Sequence, residues 1–174
     1  MKARYLIFTL MALLIAFSAV GSAWSVAFAR EPNESANFFL TYLQEAEIFL
    51  GKGGVYMPTS GYNAVAVINR WEPYGINHEG LKFVERWIEF RIFDYDTAEP
   101  FNFLLGVNYV YFNLTYAERK MWDAGDISIY YFNELTDKWE ACWTYLVPDE
   151  NTPHGRATCV MPGYGYYGLA KVNN

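Results

Sequence analysis

The chain has 174 residues, 13 of them basic and 19 acidic, for a formal net charge of −6, and it is densely aromatic, with 6 Trp, 15 Tyr and 13 Phe. With no basic run longer than Arg119-Lys120, it argues against nucleic acid or an anionic membrane surface as partner, where Lys and Arg supply most of the affinity. So much apolar surface also excludes a disordered chain.

The first element reads as an export signal. Lys2 and Arg4 form a positive start, Tyr5 to Val20 is apolar apart from Thr9 and Ser18, and Ala27-Phe28-Ala29 offers small residues just before the polar run REPNES. That order is a secretory signal peptide over residues 1–29. A second cleavage position follows Ala23. The competing reading is a retained anchor, since a stretch of about 20 apolar residues can span a bilayer. No lipid-bearing Cys follows the apolar run. Membrane association is expected only through an uncleaved signal segment, and the protein is expected to be secreted or held at the cell surface.

Without the signal, 145 residues remain with 11 basic and 19 acidic side chains, enough for one domain with a sizeable core. Residues 30–36 read as a flexible polar leader and 37–174 as the folded domain. Strands are expected at about 37–43, 46–50, 64–71, 82–93, 107–114, 126–133, 139–145, 156–161 and 166–172. Between them lie turn clusters such as Gly51-Lys52-Gly53-Gly54, Asp94-Tyr95-Asp96 and Asn133-Glu134-Leu135-Thr136-Asp137. Alternation supports the strands. Ile88, Phe90 and Ile92 fall on one face, with Glu89 and Arg91 on the other; Val110, Phe112 and Leu114 oppose Tyr109, Tyr111 and Asn113; Ile127, Ile129 and Tyr131 oppose Ser128 and Tyr130. One short helix is expected over Tyr116–Trp122, capped by Thr115 with Glu118 three residues later. Many short, alternating strands predict an all-β antiparallel sandwich, immunoglobulin-like in kind.

From Ile88 onward the order of elements resembles a module of bacterial and archaeal surface proteins. A strand and acidic turn (EFRIFDYDTAEPF) lead to an alternating strand (VNYVYFNLTY) and a helical turn (AERKMWDAG). A strand and turn near tryptophan (DISIYYFNELTDKWE) and an aromatic-glycine strand (GYGYYGLAKV) follow. This pattern is similar to the ZU-type (zonula occludens and Unc) and related immunoglobulin-like sandwiches, and spans about 85 residues. The chain departs from it in carrying two cysteines and a longer loop between the last strands. The resemblance implies an interaction or scaffold unit and transfers no catalytic residue.

The chemistry-bearing residues are few. Cys142 and Cys159, the two cysteines of the chain, lie in exported sequence on what read as neighbouring strands, and predict a disulfide. His78 and His154 are expected in Gly/Asn/Pro-rich loops, without further nitrogen or thiolate ligands, so no zinc site is expected. Asp94, Asp96 and Glu99 cluster as in a hard-cation turn but lack the spacing of a calcium loop; Asp is common in turns for its own hydrogen bonds. Beyond the signal only Ser35, Ser60 and Ser128 remain, none in a nucleophile elbow. No phosphate-cradling loop is present. No catalytic residue, metal or cofactor is therefore expected.

What remains are aromatics. Tyr109, Tyr111 and Tyr130, opposite the apolar faces of their strands, are the candidate binding surface, and are expected to be partly exposed on one sheet. The partner is expected to be a protein or polysaccharide at the cell surface. Three alternatives stand beside this reading. A carbohydrate-binding surface domain would align two or three of Trp71, Trp87, Trp122, Trp139 and Trp143 on one exposed face. A small outer-membrane barrel could be built from 145 residues. A small secreted hydrolase would use carboxylates such as Glu85, Glu89 or Asp126.

Overall fold

The computed structural model describes residues 34–102 and 104–172. The expected signal peptide, and residues 30–33 of the expected leader, lie outside the described residues.

Period-two alternation produces eleven strands among the described residues: β1 (Glu34–Leu40), β2 (Ala46–Leu50), β3 (Gly53–Met57), β4 (Ala64–Arg70), β5 (Lys82–Asp94), β6 (Tyr109–Asn113), β7 (Ile127–Asn133), β8 (Lys138–Ala141), β9 (Thr144–Asp149), β10 (Thr152–Val160) and β11 (Gly165–Lys171). They form a six-stranded sheet, β1-β4-β5-β11-β7-β8, and a five-stranded sheet, β2-β3-β6-β10-β9. Every strand pairing is antiparallel. The protein is an all-β sandwich. Its two sheets do not close on each other, which removes the outer-membrane barrel.

The inner faces make the core. Ala66, Ile68, Ile88, Phe90, Ile92, Ile129, Tyr167 and Leu169 of the larger sheet meet Ile48, Val55, Met57, Val110, Phe112 and Ala157 of the smaller one, all buried. Full burial of each large apolar side chain contributes roughly 1.5–3 kcal/mol, offset by the entropy of ordering it. Helix α1 (Tyr116–Asp123) sits between β6 and β7. It starts as expected: Thr115 Oγ1 accepts from the Glu118 amide at 3.3 Å and the Glu118 carboxylate accepts from the Thr115 amide at 2.7 Å. Glu118 also accepts both branches of Arg86, at 3.0 and 3.1 Å, which ties the helix to β5.

The outer face of the larger sheet carries a second, smaller core. Trp87, Phe132 and Trp139 are buried there, with Phe83, Tyr130, Tyr166, Ile76 and Leu81 packed against them. Loop 71–81 covers it: Trp139 Nε1 donates to Asn77 O at 3.0 Å, and its amide donates to Glu79 at 3.1 Å. Gly168 makes this possible, because a Cβ there would stand 2.5 Å from the Phe83 ring and 2.9 Å from Trp87.

Cys142 and Cys159 form a disulfide, with Cα atoms 5.8 Å apart. It joins more than neighbouring strands. Cys142 lies in the step where the chain leaves β8 in one sheet for β9 in the other; its amide donates to Ile129 O of β7 at 2.9 Å, while Cys159 belongs to β10. The bond therefore staples the two sheets together. Such a bond belongs to an oxidising compartment.

Several boundaries differ from expectation. Glu34, Ser35 and Ala36, expected in the leader, pair with Arg70, Asn69 and Ile68. Gly53 and Gly54, expected in a turn, begin β3. The single strand expected at 139–145 is split into β8 and β9 by the crossing at Cys142-Trp143. His154 lies within β10. The Asp94 turn is held by its own carboxylate, which accepts from the Asp96 and Thr97 amides and the Thr97 hydroxyl. These bonds hold the Asp94 carboxyl below its ordinary range.

Candidate functional site

The strands of the smaller sheet turn their alternate residues outward, and hydrogen-bonded register lines these up in rungs. One rung runs Glu47, Tyr56, Tyr109, Val160 across β2, β3, β6 and β10. The next runs Phe49, Gly54, Tyr111, Thr158, Tyr145 through to β9. Arg156 and Val147 pair in the rung beyond. Of these, Glu47, Tyr56, Tyr109, Tyr111, Tyr145 and Arg156, with Glu45 and Pro58 among others, line an open groove of about 510 Å³.

Its floor is Tyr111. This side chain points away from the main core yet is only 2% exposed, because it lies flat over Gly54, where a Cβ would be 2.6 Å from the phenol oxygen. Its hydroxyl donates to Glu47 Oε1 at 2.7 Å. The Arg156 guanidinium covers the ring, its carbon 4.4 Å from the centroid, and donates through Nη1 to the same Glu47 oxygen at 2.7 Å. Asp149 pairs with Arg156 Nε on the other side. Burial, then the Glu47 hydrogen bond and charge, push the Tyr111 phenol up from its ordinary value.

The walls are aromatic. Tyr56 and Tyr109 lie nearly parallel, 24° between planes with centroids 6.1 Å apart. Tyr145 stands at 89° to Tyr109 with centroids 6.5 Å apart, and Trp143, 74% exposed, follows it at 5.8 Å. All three tyrosines are half-buried. The Tyr56 phenol is raised by burial and by its hydrogen bond to Glu45.

Of the expected surface, Tyr109 and Tyr111 come together in this groove. Tyr130 does not. It sits on β7 in the other sheet and packs against the Trp87, Phe132 and Trp139 cluster. Alternation assigns a residue to a face of its own strand, but not to a sheet. Tyr111 is buried, not partly exposed, because Arg156 covers it. Among the described residues the five tryptophans do not form an exposed row: Trp87 and Trp139 are buried under loop 71–81, Trp122 packs against the main core and Trp71 is half-buried, while Trp143 is exposed.

The chain matches no known family model, no curated protein and no solved structure.

Tyr56, Tyr145, Glu45, Glu47 and Arg156 escaped sequence reasoning. Glu45 precedes β2, Glu47 and Tyr56 lie on β2 and β3, and Tyr145 and Arg156 lie on β9 and β10, far along the chain, so no local spacing joins the two groups. The one available signal was the alternation Glu47-Ile48-Phe49, which puts Glu47 opposite the core.

Proposed function

We propose that this protein is an exported, non-catalytic binding module that works through the tyrosine-lined groove of its smaller sheet, at the cell surface or after secretion. The observation that carries the reading is the convergence of Tyr56, Tyr109 and Tyr145 on one groove whose floor is fixed by Tyr111, Glu47 and Arg156. Tyrosine walls offer large contact area at low entropic cost, and a hydrogen-bonded floor holds them in place before a partner arrives. The disulfide supports export, and the charged end of the signal pattern at Lys2 and Arg4 does the same. The resemblance to surface-protein sandwiches agrees with a scaffold or interaction role.

Elsewhere, one carboxylate that a hydrolase could use is tied into the framework. Glu89, one of the candidates, accepts from Asn69 at 2.7 Å and Arg91 at 2.9 Å.

The reading is tested by co-sedimentation of purified protein with the envelope fraction of the producing cells. Wild type is expected to sediment. A Tyr109→Ala/Tyr145→Ala variant with unchanged far-UV circular dichroism is expected to stay in solution. Equal sedimentation of the two would move the contact face elsewhere.

A further inference from the structure

We propose that the groove receives a lysine or arginine side chain presented by a protein partner. The proposal rests on the groove being the contact face and adds the chemistry of what enters it.

Charge comes first. The lining holds two carboxylates, Glu45 and Glu47, and one cation, Arg156. Arg156 is itself balanced by Asp149 from the side. The groove is therefore net negative, and its unmatched charge lies at Glu45, on the rim beside Tyr56. The Tyr56 and Tyr111 phenols are raised first by burial and then by the neighbouring carboxylate, Glu45 for Tyr56 and Glu47 for Tyr111.

Ring geometry comes second. A sugar ring needs a flat aromatic platform. Here Tyr145 stands perpendicular to Tyr109, so the walls make a corner instead. Ring faces meeting at a corner beside a carboxylate suit a compact cation, which is drawn to the negative faces of the rings.

Third, the face already holds one cation of its own in this way. The Arg156 guanidinium lies over the Tyr111 ring, with Glu47 as hydrogen-bond acceptor. The second carboxylate-and-tyrosine set, Glu45 with Tyr56 and Tyr109, repeats that chemistry one rung away with no arginine of this chain among the groove lining to fill it. Pro58 and Val147 supply apolar lining for the methylene stem of an incoming lysine or arginine.

The test is an NMR titration of the tyrosine ring resonances of the purified protein. The probes are a blocked Gly-Lys-Gly-Arg-Gly peptide, the same peptide with glutamine for both cations, and a neutral cello-oligosaccharide. The cationic peptide is expected to move the Tyr56, Tyr109 and Tyr145 rings, and the glutamine peptide is not. Glu45→Gln, at an exposed position that the core does not use, is expected to weaken binding by up to about fivefold, as loss of an exposed ion pair does, and high salt to weaken the wild-type complex likewise. Equal shifts from both peptides, or no effect of Glu45→Gln, would overturn the proposal. Shifts from the oligosaccharide with none from the cationic peptide would also overturn it, while keeping the groove as contact face. Loss of the groove reading itself is seen separately, as equal sedimentation of the tyrosine variant.

Discussion

The hydroxyl of Tyr111 reaches Glu47 Oε1 at 2.7 Å by crossing the bare backbone of Gly54. A tyrosine on the outer side of a sheet is thereby buried and fixed. The glycine expected to make a turn is instead the place where a ring lies down.

Gly54→Ala should therefore be costly. Its Cβ would stand 2.4 Å from Ile48 O and 2.6 Å from the Tyr111 hydroxyl, and overpacking of this kind costs about 1–3 kcal/mol. Urea denaturation should show that loss. A Gly54→Ala protein as stable as wild type would mean that Tyr111 does not lie where we place it. Tyr111→Phe should cost less, about 1 kcal/mol for the hydrogen bond.

Alkaline pH should act on the buried phenols. Tyr111, Tyr164 and Tyr167 are all raised, each first by burial, then by Glu47 for Tyr111, by the Tyr62 hydroxyl for Tyr164 and by Tyr131 for Tyr167. Their folded values lie above the unfolded value of about 10, so the unfolded chain releases protons that the fold keeps. The stability they contribute is whole below about pH 10 and declines as pH rises beyond it. Phenolate absorbance from these residues should appear only together with loss of far-UV circular dichroism. Complete phenol titration in a still-folded protein would contradict this.

Reduction of Cys142–Cys159, which are 17 residues apart, should lower stability by about 3 kcal/mol. Without reductant the unfolded protein should show no titratable thiol. Two reactive thiols would refute the bond.

Glu118 carries two duties, capping α1 and pairing with Arg86 in a mostly buried site. Glu118→Ala should cost about 3 kcal/mol, since it removes a cap and strands a partly buried guanidinium. Glu118→Gln, which can still accept from the Thr115 amide, should cost less. Equal losses in the two variants would mean that the cap contributes nothing beyond the charge on Glu118.

Much of the framework could be read from the chain because its signals are local. The bounds of β2, the Thr115–Glu118 cap and the apolar face of β5 each follow from residues within one element. What could not be read depends on what lies across the sheet. Gly53 and Gly54 look like a turn until Tyr111, 57 residues on from Gly54, needs the space above them. The run KWEACWTYL carries no Gly or Pro to mark the point where it changes sheet. Tyr130 and Tyr109 share the same local pattern, and only the strand order separates them. The groove belongs to this second kind: its tyrosines and charges become neighbours through register alone.

The strand order also bears on the order in which the fold can be completed, and so on the proposed export. β11 comes after every other strand yet lies in the middle of the larger sheet, between β5 and β7. Until it emerges, that sheet exists as two detached pieces, β1-β4-β5 and β7-β8, and the core lacks Tyr167 and Leu169. A chain threaded head first through a narrow channel therefore cannot lock into its folded shape on the far side while its tail is still on the near side. Delay is built into the topology, and under the proposed export a threading chain would meet no prematurely closed larger sheet.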